Sequence, residues 1–126
     1  MLRKLSLIAL AGALGTLARY AIAGLTQRLT NAFLPWGTLA VNVLGCLVAG
    51  FLWTLFENRW VVTPETRTIV LVGFLGAFTT FSALILETGE MVRAAEWGYA
   101  ALNLMLHVVL GFAALSIGLT IGQSVS

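Results

Sequence analysis

Aspartate is absent from this chain, lysine occurs once (Lys4), and the five acidic residues are all glutamate. So few carboxylates leave little room for paired-carboxylate catalysis. One cysteine, Cys46, allows no intrachain disulfide and has no companion for a thiolate metal site. The single histidine, His107, has no second His, Cys or acid at ligand spacing, which argues against a metal centre there. No nucleophile–base set, phosphate loop or metal cluster is present, so the sequence does not read as an enzyme. Charge is scarce as well. Only 10% of the 126 residues are charged, against about 25% in soluble domains. That is too little to cover a globule of this size, and it argues against both a soluble domain and a disordered chain. The net charge of +2 comes from dispersed basic residues. They form no patch or basic helix, so nucleic acid is not an expected partner.

What the chain has in quantity is apolar residues, 60% of the total, with a mean hydropathy of +0.98. The gaps between charges divide it. Residues 29–56, 68–86 and 97–126 carry no acidic or basic residue apart from His107, and 5–25 are interrupted only by Arg19. A hydrocarbon core needs about 20 apolar helical residues per crossing. The pattern therefore predicts an all-α membrane protein with four transmembrane helices, about 5–25, 36–56, 68–87 and 97–121, in one domain spanning 1–126. The runs are continuous rather than alternating, which excludes a β-barrel reading. Pro35 suits a helix start, and Trp36, Trp60 and Trp97 fall at span ends, where indoles anchor in the headgroup layer. Arg3-Lys4, an apolar run and Ala21-Ile22-Ala23 imitate a signal peptide, but Arg19 sits where such a segment is uncharged. Four crossings place Arg3, Lys4, Arg59 and Arg67 on one side and Arg28 and Arg93 on the other, with Arg19 leaning towards the second. The bias is weak. It fits both a chain inserted N-in and one inserted in both orientations.

Polar groups inside the spans are functional candidates by default. Arg19, two-thirds along the first span, either snorkels to the interface, draws an anion towards a pore mouth, or pairs with a carboxylate such as Glu87. Asn42 either joins helices through its amide or offers NH2 donors to a permeant group. Asn103 and His107 are one turn apart on one face of the fourth span. They line a polar track or satisfy partners at a helix interface.

The most informative segment is Gly73-Phe-Leu-Gly76-Ala-Phe78-Thr79-Thr80-Phe81-Ser82, in the middle of the third span. Glycine, aromatic and β-branched residues in succession make a poor helix interior. A break would free backbone carbonyls, which membranes tolerate only where they are buried in protein or line a cavity able to coordinate a cation. The alternative is a continuous helix whose hydroxyls bond back to the preceding turn. The donors of Thr79, Thr80 and Ser82 suit an anion. Phe78 and Phe81 would share one side of an unbroken helix and present positive ring edges, unless they are ordinary packing residues. Four helices leave little room for a pore within one chain, so a pathway is better placed where subunits meet. Gly12, Gly15, Gly45, Gly73, Gly76, Gly118 and Gly122 allow close helix approach.

Gly12-Ala-Leu-Gly15-Thr-Leu-Ala-Arg19-Tyr20, then Pro35-Trp-Gly37-Thr38 leading to Asn42 and Gly45, then the Gly73–Ser82 block, together resemble the Fluc/CrcB family of fluoride ion channels. The resemblance in length and four-span layout covers essentially the whole chain. It implies a passive fluoride channel exporting fluoride from the cytoplasm through a bacterial-type inner (plasma) membrane. It also implies a dual-topology antiparallel homodimer with the third helix broken at mid-span and two pores per dimer. A structural Na+ would lie at the dimer centre on the backbone carbonyls of Gly76 and Thr79 from both subunits. Asn42 and Phe81 match pore residues, Asn103 a pore-lining position and Arg19 the basic residue near the vestibule. Thr38, Thr80 and Ser82 match polar residues of the path and its motif, and Glu87 matches the acid that follows.

The alternative class is a small multidrug-type dual-topology antiporter, which needs a membrane-embedded acid. Glu87, the candidate, lies at a span end. An accessory subunit without transport is a third reading, opposed by the polar groups at mid-membrane. The chain departs from the family where Thr-Thr-Phe-Ser-Thr-Phe is usual: Ala83 and Leu84 follow Ser82. Leucine offers no aromatic edge, so one fluoride station per pore is expected to be weakened or rebuilt. Fluoride efflux from liposomes should therefore change in rate or selectivity in Leu84→Phe; identical efflux would remove this expectation.

Overall fold

The computed structural model describes residues 1–30, 32–58 and 62–125. Asn31 of the first connection, and Arg59 and Trp60 of the second, lie outside the described residues. The elements are α1 (Leu2–Thr30), α2 (Trp36–Asn58), α3 (Pro64–Arg67), a π-helical run Thr68–Leu75, α4 (Gly76–Phe78), α5 (Phe81–Arg93) and α6 (Trp97–Val125). Among the described residues there is no strand. Four helical stretches are long and apolar enough to cross a membrane: Leu2–Thr30, Trp36–Glu57, Pro64–Arg93 and Trp97–Val125. Trp36 and Trp97 open their helices as expected. The other ends run past the charge gaps, because Lys4, Arg28 and Glu90 are good helix formers and cost nothing where a helix emerges into water.

Each start and stop has a local cause. Thr63 caps α3 by accepting from the Thr66 N–H at 3.2 Å, with Pro64 at the first helical position,. The first connection is held by Gln27. Its Nε2 donates to the Ala32 and Leu34 carbonyls at 3.2 and 3.4 Å, and its Oε1 accepts from Gly37 N–H at 3.2 Å. At the end of α5, Ala95 takes φ 59°, and Glu96 N–H reaches back to Met91 O while Ala95 N–H reaches Val92 O. This is a Schellman turn with alanine in the usual glycine position. It brings α6 directly back along α5. Hydroxyls within the apolar helices bond to the preceding turn, as Ser116 does to Phe112 O and Thr120 to Ser116 O, both at 2.9 Å,.

α2 lies mainly along α6, and α1 along the π-helical run and α4. The third span therefore changes neighbours along its length: before Thr79 it follows α1, and from Phe81 onward it follows α6. Small residues make both approaches possible. A side chain on Gly118 would strike the backbone of Leu47 and Phe51, and one on Gly50 the backbone of Leu115 and Leu119. Gly15 meets the backbone of Phe74 and Phe78 in the same way. Of the glycines expected to serve close approach, Gly15, Gly118 and Gly122 do so between helices of one chain, whereas Gly76 meets only its own preceding turn. Thr54 ties the α2–α6 seam by donating to Gly50 O at 3.1 Å and lying 3.5 Å from Leu119 O.

Val41, fully buried, sits at the centre of the core with Leu75 and Phe78, surrounded by Ala18, Ile22, Ala49, Leu71 and Phe74. Gly15 is the buried residue of α1, and Leu10, Leu14 and Leu17 face outward. That arrangement suits a helix surrounded by lipid. Arg3 and Glu65 approach to 3.8 Å, and Arg67 donates to Phe56 O with its guanidinium 5.8 Å from the Phe56 ring centroid. The N-terminus and the second connection thus share one end of the bundle, as four crossings require.

Gly118→Ala should lower stability in detergent by about 1–3 kcal/mol, because the new methyl meets backbone rather than a yielding side chain. Gly24→Ala, with nothing within 4 Å of its Cβ position, should raise it by up to about 1 kcal/mol through helix propensity. Thermal melts of the two variants check both signs.

Candidate functional site: an interrupted third span flanked by cavities

The site begins with two residues that are not helical. Thr79 has φ −87° and ψ 160°, and Thr80 has φ −151° and ψ 108°. Both are extended, and two consecutive β-branched residues favour that region. Thr79 still closes the turn before it, through its N–H at 3.0 Å and its hydroxyl at 3.1 Å from Leu75 O. Thr80 then turns away. Its hydroxyl accepts from Ala83 N–H at 3.2 Å and so caps α5,.

The peptide groups of Thr80 are satisfied from another helix. Thr80 N–H donates to Asn42 Oδ1 at 2.8 Å, and Asn42 Nδ2 donates to Thr80 O at 3.1 Å. The carboxamide of Asn42 thus stands in for a peptide unit and exchanges two hydrogen bonds with a single residue. Gly45, one turn along α2, leaves room for Thr79: a Cβ there would collide with the Thr79 methyl. The N–H groups that would have closed helical turns onto Gly76 O and Thr79 O are engaged elsewhere, Thr80 N–H on Asn42 and Ala83 N–H on the Thr80 hydroxyl.

The two extended residues separate the phenylalanines. Phe78 is buried and stacks on Phe74 with centroids 6.0 Å apart. Phe81 is 75% exposed. The expectation that they share a side fails because it assumed helical spacing across Thr79–Thr80. Phe78 is a packing residue; Phe81 borders a cavity.

Two cavities border the interruption and a third lies beyond Thr38. One of about 460 Å³ is lined by Asn42, Gly76, Thr79, Thr80, Phe81 and Leu84 among others. A second, of about 310 Å³, gathers Arg19, Tyr20, Thr38 and Thr80. A third, of about 560 Å³, lies between the first connection and the end of α5 and includes Thr38, Glu87 and Glu90. Thr80 borders the first two and Thr38 the last two. Most of the residues singled out from sequence therefore border one of these cavities.

Three further placements narrow the alternatives. Glu87 is not paired with Arg19. It accepts a 2.5 Å hydrogen bond from the Thr38 hydroxyl, and its other oxygen is buried with no hydrogen-bond partner. Asn103, 2% exposed, borders none of these cavities; its amide donates to Thr88 Oγ1 at 3.0 Å, joining α6 to α5. Ser82 is exposed, with its hydroxyl 3.4 Å from that of Thr80. Sequence reasoning missed Gln27 and Thr88. A glutamine at a span end and a threonine inside a span carry no signal until their partners are known.

Four apolar helices, one interrupted at Thr79–Thr80 beside two cavities, define a multi-pass membrane protein. Residues 6–119 match the family model described as CrcB-like protein, Camphor Resistance (CrcB). The chain belongs to this family. It is 61% identical over 123 residues, 98% of both chains, to a protein of Desulforapulum autotrophicum named fluoride-specific ion channel FluC. Proteins of the same name from Nitrosococcus oceani and Solidesulfovibrio magneticus are 50% and 46% identical, each over 98% of both chains.

Replacing Asn42 by leucine strands the N–H and C=O of Thr80 together. Each buried group left unpaired should cost about 1–3 kcal/mol. Asn42→Asp keeps the acceptor but sets an oxygen against Thr80 O, so it should recover only part of that loss. Thermal stability in detergent should rank native above Asp above Leu.

Proposed function

We propose that the protein is a passive fluoride channel that lets fluoride leave the cytoplasm through a bacterial inner membrane. Identity of 61% over nearly the full chain to a protein named fluoride-specific ion channel carries this reading. The site chemistry supports it. Fluoride is small and strongly hydrated, so a pathway must replace water with fixed donors. Arg19 supplies positive charge at one cavity. The Thr80 hydroxyl, which accepts from Ala83 N–H, retains its own proton for donation. Asn42 Nδ2 has two hydrogens and uses one on Thr80 O,. Phe81 offers a ring edge beside them. Thr38 directs its proton to Glu87, so its hydroxyl is not a free donor at that cavity.

In this reading the interruption at Thr79–Thr80 lies at the bilayer middle. The functional unit is an antiparallel homodimer of two oppositely inserted copies, with two pores. The carbonyls of Gly76 and Thr79 suit Na+, a hard cation that takes oxygen ligands. Two carbonyls are too few to replace a hydration shell, so a second copy would complete the set. Bound there, the ion would supply positive charge that holds the two interruptions together. Exposed Phe81, and the open cavity beside it, then belong to the surface the partner covers.

Purified protein in liposomes loaded with potassium fluoride should release fluoride to an external electrode once valinomycin relieves the charge, without any proton gradient. Release that requires a proton gradient would favour the antiporter reading. No release would reject the channel.

A further inference from the structure

Two side chains beside the interruption are a thiol and an imidazole. Cys46 on α2 and His107 on α6 both border the 460 Å³ cavity, and both border a neighbouring cavity of about 230 Å³ with Val108, Gly111, Phe112 and Leu115. The thiol lies against α6 one turn beyond His107: a Cβ on Gly111 would sit 3.5 Å from Cys46 Sγ. His107 is 8% exposed, and its Nδ1 is 2.9 Å from Asn103 O. A carbonyl can only accept, so Nδ1 bears the hydrogen. In the neutral ring Nε2 is then a bare lone pair, and it is buried with no hydrogen-bond partner. Buried polar atoms without partners are rare and call for a ligand or a cause. An Nδ1–H bond to a backbone carbonyl is also the outer-shell arrangement that fixes the tautomer of metal-binding histidines.

We infer that Cys46 Sγ and His107 Nε2 form a two-ligand site for a soft monovalent cation of the copper(I)–silver(I) class. Thiolate and imidazole select soft metals, whereas hard cations require several oxygens. Among the described residues no group of three or more His, Cys, Asp or Glu side chains converges to hold a metal ion. A pair fits the linear two-coordination that these d10 ions accept. On binding, the Cys46 S–H bond breaks and its proton passes to water. The sulfur electron pair forms one metal bond and the Nε2 lone pair the other. No electron is transferred. The site would clamp α2 to α6 next to Asn42 and Gly45, the residues that seat the interruption.

Silver nitrate titrated into the detergent-purified protein in chloride-free buffer tests this by calorimetry and native mass spectrometry. One silver ion per chain is expected, with affinity at least about tenfold weaker in Cys46→Ser and in His107→Leu. His107→Gln, which retains polarity but offers no ring nitrogen, serves if the leucine variant does not fold. Native-like affinity in either His107 variant would reduce the site to a lone thiol and overturn the inference. Failure of the native protein to bind silver would do the same.

Discussion

A peptide group without a partner in apolar surroundings is one of the costliest things a fold can contain. Thr80 would be such a residue: its N–H and C=O leave the helix together, in the middle of the third span. The side chain of Asn42 meets both at 2.8 and 3.1 Å. Much of the rest depends on this exchange. It lets the chain stop one helix at Phe78 and begin another at Phe81. The third span can then leave α1 and continue along α6. It turns Phe78 into the core and Phe81 out to a cavity. It also redirects the N–H groups that would have covered Gly76 O and Thr79 O.

The pairing requires that α2 be held firmly, and the packing of α2 on α6 does this. Gly50, Gly118 and Gly122 bring the two backbones close enough for van der Waals contact along several turns,. Thr54 adds a polar tie at one end of that seam, and the Asn103–Thr88 bond joins α6 to α5 further along. Between these ties the second half of the third span is carried by α6 and its beginning by Asn42. α1 is attached differently. It meets the first half of the third span through Gly12 and Gly15 and leaves most of its apolar surface outward. One chain thus has a firm α2–α6 frame, an interrupted helix tied to it through Asn42, Thr38 and Asn103, and a more peripheral first helix.

The fold class was legible in the charge gaps, because a membrane imposes its requirement on composition alone: about 20 uncharged residues per crossing, whatever their neighbours. The four spans, the helix starts at Trp36 and Trp97, and the special character of the Gly73–Ser82 segment could all be read residue by residue. So could the resemblance that led to the family. Contacts between spans could not. That Asn42 would bond Thr80, 38 positions away, that Glu87 would take Thr38 rather than Arg19, and that Asn103 would be consumed by Thr88 depend on which helix faces lie together. Only the tertiary structure decided these. Periodicity reports which side of a helix a residue occupies, and it lost even that power across Thr79–Thr80, where the backbone is extended. Cys46 and His107, neither of which has a ligand companion in the sequence, border the same cavities only because α2 and α6 are packed together, and burial is a property of the assembled chain.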